Sequence, residues 1–307
     1  MKPTMNFRGL SIIPILCAGA EGSRVRLGQP NCGDARCRKA CMGCPSSAEC
    51  AGACDVDMPL PVTPPPPTRI KIAAILDSLS DESCCGKVYP PYLQTYLDAA
   101  YPGLFEVREF AVYSTTICEN GNLPYIAETR QSDPTSGKTP YLQALAYNSD
   151  YVIIVGGAND SKSANWIDRG CKDTFQGDAQ RLYSSFIDRG SRVFASDPPS
   201  VGTNHMRISN SHIREQTDMI CCAAEAVGAT RIPTYAFTQP FTKAPCYKDS
   251  THCWFPDGVH FNDAGAESLA EFFGCYVLKQ CNIDFPSICT TLPAGCTVDT
   301  LPPCESC

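Results

Sequence analysis

Positive charge is in short supply in this 307-residue chain, where 25 lysines and arginines face 32 aspartates and glutamates for a formal net charge of −7. That excludes the basic footprint a nucleic-acid or anionic-membrane binder needs, and neither partner is expected. Long hydrophobic runs are missing too. The mostly apolar stretch Leu10–Cys17 is too short to span a bilayer and is interrupted by Pro14, and no later stretch is apolar enough to form a membrane span. Histidine is scarce: His205, His212, His252 and His260 are the only four. Any imidazole chemistry must come from one of them.

Cysteine, in contrast, is abundant, with 21 in the chain. A cytosolic protein of this size rarely carries so many, whereas an oxidising compartment converts them into cross-links. The start of the chain agrees. Lys2 and Arg8 precede the apolar run, and Ala18-Gly19-Ala20 has the A-x-A form of a cleavage site, so residues 1–20 read as a secretory signal peptide. Cleavage would remove Cys17 and leave an even number of cysteines. The expected mature protein is soluble and secreted.

Cys32, Cys37, Cys41, Cys44, Cys50 and Cys54 crowd into a segment almost free of large apolar side chains. A segment that cannot bury a core must be stapled, so residues 21–58 are expected to be a disulfide-rich module. Six cysteines allow fifteen pairings, and the sequence does not choose among them. Cys41 and Cys44 form a C-x-x-C, but neither a second such pair nor a histidine lies nearby to complete a zinc site. Residues 59–68 (PLPVTPPPPT) favour polyproline II and read as a semi-rigid linker.

From Arg69 onward strands alternate with helices. Ile70–Leu76 and Tyr151–Val155 are uninterrupted apolar runs, expected as strands buried on both faces, and Arg192–Ala195 is a third. Phe105–Val112 is strand-like. Helical spacing appears over Tyr92–Ala100, Pro140–Ala146, Ala179–Asp188, Arg207–Val227 and Asp263–Phe273, with Gly170–Gln180 and Thr238–Thr251 left as loops. This alternation predicts a three-layer α/β/α sandwich around a mainly parallel sheet, over residues 69–277. Past Gly274 the pattern dissolves into a cysteine-rich tail, residues 278–307. Its five cysteines are an odd number, so at least one is expected to bridge to the central domain. The adjacent pairs Cys84-Cys85 and Cys221-Cys222 are expected to reach separate partners.

Three short segments carry chemistry. Asp77-Ser78 follows the first buried strand, where open α/β sheets place their ligands, although Asp-Ser there also suits a helix cap. Gly156-Gly157-Ala158-Asn159-Asp160 follows the second buried strand. Its glycines allow close approach, and the Asn159 amide is a candidate oxyanion donor. The same residues also suit a capping turn, and Asn159-Asp160-Ser161 is a glycosylation sequon that would need Asn159 exposed. Finally, Asp257-Gly258-Val259-His260 precedes the last helix. The spacing lets a carboxylate hold Nδ1–H of the imidazole while Nε2 faces outward as a base. Of the others, His252 stands next to Cys253 and reads as structural, and His212 lies on a helix.

In this order and placement, the three segments resemble the SGNH (GDSL-type) hydrolase family over Ile70–Val277. There is no G-x-S-x-G elbow of the ordinary α/β-hydrolase kind. The resemblance implies an SGNH/flavodoxin-like fold and a carboxylic ester hydrolase that needs no metal or organic cofactor. It implies Ser78 as nucleophile, with His260 and Asp257 completing the triad. The implied oxyanion donors are Asn159 and the backbone N–H groups of Ser78 and Ser114. Two positions depart from the family pattern: Leu76 and Ser114 both stand where glycine is usual. Gly121–Tyr125 and Ser163–Trp166 further resemble members that deacetylate sugars. The substrate expected is a short acyl ester, acetyl first, on a carbohydrate or small alcohol. The N-terminal module is expected to hold the enzyme on a glycan-bearing surface. A non-catalytic glycan-binding protein of the same fold, or a lipase or phospholipase of the same family, are the alternatives.

Overall fold

The computed structural model describes residues 69–83, 87–202, 207–242, 254–290, 292–294 and 296. The expected signal peptide, cysteine-rich module and linker lie outside the described residues, as do Cys84, Cys85, His205, His252, Cys304 and Cys307.

Five parallel strands form one sheet: β1 (Ile70–Leu76), β2 (Phe105–Glu109), β3 (Tyr151–Val155), β4 (Arg192–Ser196) and β5 (Thr230–Ile232), in the order β2-β1-β3-β4-β5. Parallel neighbours need crossover connections, and helices supply them. Tyr89–Ala100 (α1) joins β1 to β2, and Pro140–Tyr147 (α2) leads into β3. Ser163–Trp166 (α3) and Cys171–Ile187 (α4) lead to β4, and Asn210–Val227 (α5) leads to β5. Thr234–Thr238 (α6) and Asp263–Asp284 (α7) complete the described helices.

Alternate residues of the strands face opposite layers. Ile70, Ile72 and Ala74 pack with Leu93 and Leu97 of α1 and with Leu269, Phe273 and Val277 of α7. Ala73 and Ile75 face Phe175, Ala179 and Leu182 of α4 and Ile220 and Ala223 of α5. Covering both faces explains why the strands read as unbroken apolar runs. The expected three-layer α/β/α sandwich is therefore present. From β1 the chain turns first to β2 on one side and then to β3 on the other. The carboxyl ends of β1 and β3 thus flank a topological switch point, where a crevice forms.

Four local expectations need correction. The last helix does not stop at Phe273, and the boundary expected at Val277 falls inside α7, which continues to Asp284. Gly274 looked like a helix stop but is a packing glycine: a Cβ there would overlap the Tyr96 ring of α1. Residues 171–180 are the first part of α4 rather than a loop; Gly177 and the polar Lys172, Asp173 and Gln176 disguise its helical period. β2 ends at Glu109, three residues short of the expected limit. β5, only three residues long, was not expected.

The tail is tied to α7. Cys275–Cys296 provides the bridge expected between tail and central domain, and Cys281–Cys289 joins two further tail cysteines. Cys118–Cys171 links the loop after β2 to the start of α4. Cys221 and Cys222 are both disulfide-bonded. No helix among the described residues is long and apolar enough to cross a membrane.

Candidate active site

Ser78 lies in a tight turn directly after β1. The turn is held by Asp77, whose carboxylate accepts the Leu79 N–H at 3.0 Å while its carbonyl accepts the Ser80 N–H at 3.0 Å. Leu76, the last residue of β1, has a φ of +110°. Bulky L-residues rarely adopt positive φ, because Cβ then crowds the carbonyl, at a cost of roughly 1–3 kcal/mol. The neighbouring strand makes room for its fully buried side chain. At Gly156, after β3, a Cβ would overlap Leu76 Cδ2 and lie 2.9 Å from Cγ.

The imidazole arrives on the turn before α7. Phe255, Val259 and Phe261 are buried and anchor the turn, while Gly258, at φ +89°, reverses the chain between them. Asn262 caps α7 by accepting the Gly265 N–H at 2.9 Å. His260 is thereby presented with Nδ1 2.5 Å from Asp257 Oδ2 and Nε2 3.0 Å from Ser78 Oγ. The other Asp257 oxygen accepts the backbone N–H groups of Val259 at 2.8 Å and His260 at 2.7 Å. Partial burial opposes charge on Asp257. The bonds from the His260 side chain and the two backbone amides outweigh it, and hold the carboxyl well below the usual carboxylate range.

Asn159 stands in the turn after β3. It is 6% exposed, and such burial disfavours the sequon reading. Its Nδ2 donates to the Thr115 carbonyl at 3.1 Å and faces Asp77 Oδ2 at 3.4 Å. Its Oδ1 accepts from Lys162 Nζ at 2.6 Å, and its backbone carbonyl accepts from Asn165 Nδ2 at 2.8 Å. Asn165 Oδ1 in turn accepts the Asn122 N–H at 3.0 Å, which brings together the two segments that resemble sugar-deacetylating relatives. Ser114 has φ +64°, the left-handed conformation that favours glycine. Its loop is tied to the Ser78 turn at both ends: Thr115 Oγ1 donates to the Leu76 carbonyl at 2.7 Å, and the Tyr113 N–H to Asp81 Oδ2 at 2.7 Å. Both residues standing in place of glycine thus keep a glycine-like backbone.

Sequence reasoning missed Lys162, Thr115 and the structural duty of Asp160. Asp160 is fully buried beneath the site, with its carboxylate accepting the N–H groups of Ile117 at 3.1 Å and Cys118 at 2.8 Å. Cys118, Asp160 and Cys171 come close enough to resemble a metal-ligand group, but the two sulfurs are spent in the disulfide. His212 has a structural setting: Nδ1 lies 2.8 Å from the Ser161 carbonyl and the ring stacks on Trp166.

Asp77 gives the site a pH signature. Burial pushes its carboxyl up to about 7, against the opposing bond from the Leu79 amide and with a further push from Asp160. A free aspartate ionises near about 3.9. Between those values the unfolded chain has released a proton that the folded chain still holds, so stability falls as pH rises through the window. Asp77→Asn is expected to reduce but not abolish the decline in Tm between pH 5 and 8, because burial also pushes up the carboxyls of Asp160, Glu109 and Asp197. Thermal melts of both proteins across that range test this, and identical slopes would remove Asp77 as a source of the decline.

A carboxylate, an imidazole and a serine hydroxyl in one hydrogen-bonded line, at the carboxyl edge of a parallel sheet, form the arrangement with which acyl-transfer hydrolases activate a serine. Comparison with known proteins agrees with that class. Residues 77–267, well over half of the chain, match the GDSL-like Lipase/Acylhydrolase family. The chain belongs to that family, whose members are carboxylic ester hydrolases. An acetylxylan esterase of Xylanibacter ruminicola is 32% identical over 106 residues, covering 33% of this chain and 19% of that relative. The chain therefore spans about a fifth of the length of this curated relative. In fold, it is similar to the crystal structure of the acetyl xylan esterase AlAXEase, with a TM-score of 0.51 at 18% identity over 68% of this chain and 100% of that one.

Proposed function

We propose that this protein is a secreted serine esterase that removes short acyl groups, acetyl foremost, from carbohydrates or small alcohols. The observation that carries the reading is the line from Asp257 through His260 to Ser78, with 2.5 and 3.0 Å between successive partners. His260 takes the Ser78 proton as Oγ attacks the ester carbonyl. The tetrahedral oxyanion is held by the Asn159 amide and the backbone N–H groups of Ser78 and Ser114. The imidazolium, stabilised by Asp257, protonates the departing alcohol, and water then releases the acid by the same steps in reverse. Acetyl preference is supported by the acetylxylan esterase relative and by the Asn122–Asn165 contact beside Asn159. Secretion is supported by the N-terminal pattern and the cysteine content, and residues 21–58 are assigned the task of holding the enzyme on a glycan-bearing surface.

The test is covalent labelling of purified, oxidised protein with a fluorophosphonate, alongside hydrolysis of p-nitrophenyl esters of increasing chain length and of acetylated sugars. Labelling at Ser78 that is absent from Ser78→Ala, with the highest kcat/KM on acetyl esters, is the expected result. A preference for long acyl chains would turn the assignment to a lipase. No labelling and no turnover by either protein would leave the fold as a binding scaffold and overturn the esterase reading.

A further inference from the structure

Lys162 is a half-buried cation whose ammonium donates to the Asn159 side chain. Its Nζ lies 2.6 Å from Asn159 Oδ1, and its backbone forms an antiparallel bridge with Ile208 that fixes where the side chain starts. Burial pushes its pKa down, an effect partly offset by the nearby Asp77 carboxylate, reinforced by Arg207 and again offset by Asp160. A lysine held this way gives up hydration, and what it gains in return is the bond to Asn159.

An ammonium can only donate hydrogen bonds and a carbonyl can only accept them. The Asn159 amide lies between one of each, with Oδ1 toward Lys162 Nζ and Nδ2 toward the Thr115 carbonyl and Asp77. The flipped amide would set Nδ2 against a cation and Oδ1 against a carbonyl and a carboxyl group. Both neighbours therefore select the same orientation, the one that turns the NH₂ rather than the oxygen toward the Asp77-Ser78 turn, where a developing oxyanion would draw one N–H from its long contact with Asp77. The ammonium also polarises the amide it bonds: drawing electron density toward Oδ1 makes the N–H a stronger donor, as in any chain of hydrogen bonds.

We propose that Lys162 is a positioning residue for the oxyanion hole, setting the orientation and donor strength of the Asn159 amide without touching substrate. The inference rests on the reading of Asn159 as an oxyanion donor. Lys162 acts through a second group, so its effect is smaller than that of the donor itself, whose removal from such a site costs roughly 10²–10³-fold in kcat.

A double-mutant cycle of Lys162→Met and Asn159→Ala tests it, read as kcat and KM for p-nitrophenyl acetate and as affinity for phenylboronic acid, which forms a tetrahedral adduct on the serine. Lys162→Met is expected to lower kcat and boronate affinity together by about tenfold, within the ceiling set by losing the donor. KM should hold, and Lys162→Arg should restore most of the rate. In the Asn159→Ala background, Lys162→Met should add almost nothing, because the group it acts on is gone. Additive losses, or a Lys162→Met loss that follows Tm and KM rather than kcat, would overturn the proposal in favour of a structural lysine. If Asn159→Ala itself leaves kcat intact, the oxyanion reading of Asn159 fails instead, and the inference falls with it.

Discussion

Asp257→Asn is expected to lower kcat on a short-chain acetyl ester by about 10⁴-fold, the scale seen when an imidazole base loses its orienting carboxylate. The reason lies in how the two carboxylate oxygens are shared. One accepts two backbone amides, from Val259 and His260, and the other accepts the imidazole at Nδ1. An asparagine has a single acceptor oxygen, and two backbone donors hold it more firmly than one ring nitrogen does. The amide NH₂ is then turned toward Nδ1, which must become the acceptor, and the ring proton moves to Nε2. A protonated Nε2 cannot take the proton of Ser78. The Asp257 side chain is 54% exposed, so solvent screens much of its charge, but the tautomer effect does not depend on charge. Steady-state kinetics with a Tm control decide the matter. A loss below tenfold in a normally folded variant would mean that Asp257 does not orient the base.

Gly156→Ala, just past the end of β3, should be unusually damaging for so small a substitution, lowering stability by about 1–3 kcal/mol through overpacking. For a domain of this size that corresponds to a fall in Tm of very roughly 2–12 °C. The new methyl would occupy the space of Leu76 Cδ2, and Leu76 is fully buried on a strand with no free direction to move. Leu76→Gly alone has two opposing effects: it loses a buried side chain, at roughly 2–5 kcal/mol for truncation, and relieves the positive-φ strain of roughly 1–3 kcal/mol. Combining the two should cost little more than Leu76→Gly by itself, because the clash disappears with the leucine. Chemical denaturation of the four proteins in the cycle measures the coupling. A coupling energy near zero would show that Leu76 does not fill the space above Gly156.

Much of the site was legible in the sequence because its parts are short linear segments attached to strand ends. Asp77-Ser78, Gly157-Ala158-Asn159-Asp160 and Asp257–His260 each sit where a buried strand stops or a helix begins, and the parallel topology brings those ends together. The glycine replacements were legible only as departures. A sequence does not report φ, so it could not show that Leu76 and Ser114 keep the backbone that glycine would have taken. Lys162 gave no signal at all: a lysine just before a short helix looks like any solvated lysine until Nζ is seen against Asn159. In the fold, β5 is too short at three residues to establish a pattern, and Gly274 looked like a stop because its partner, Tyr96, is far away in sequence.

Cys118–Cys171 closes a covalent ring with a sequence separation of 53, and Asn159 and Lys162 lie inside it while Ser78, Asp257 and His260 lie outside. In polymer terms, the amide-bearing half of the cleft belongs to a closed loop even when the chain is unfolded. Ring closure of this length removes about 4 kcal/mol of configurational freedom from the unfolded ensemble in the chain-entropy view. The serine and the imidazole lie outside that ring, 182 residues apart in sequence. The amide-bearing half of the cleft is therefore pre-gathered by a covalent bond before the sheet and α7 form.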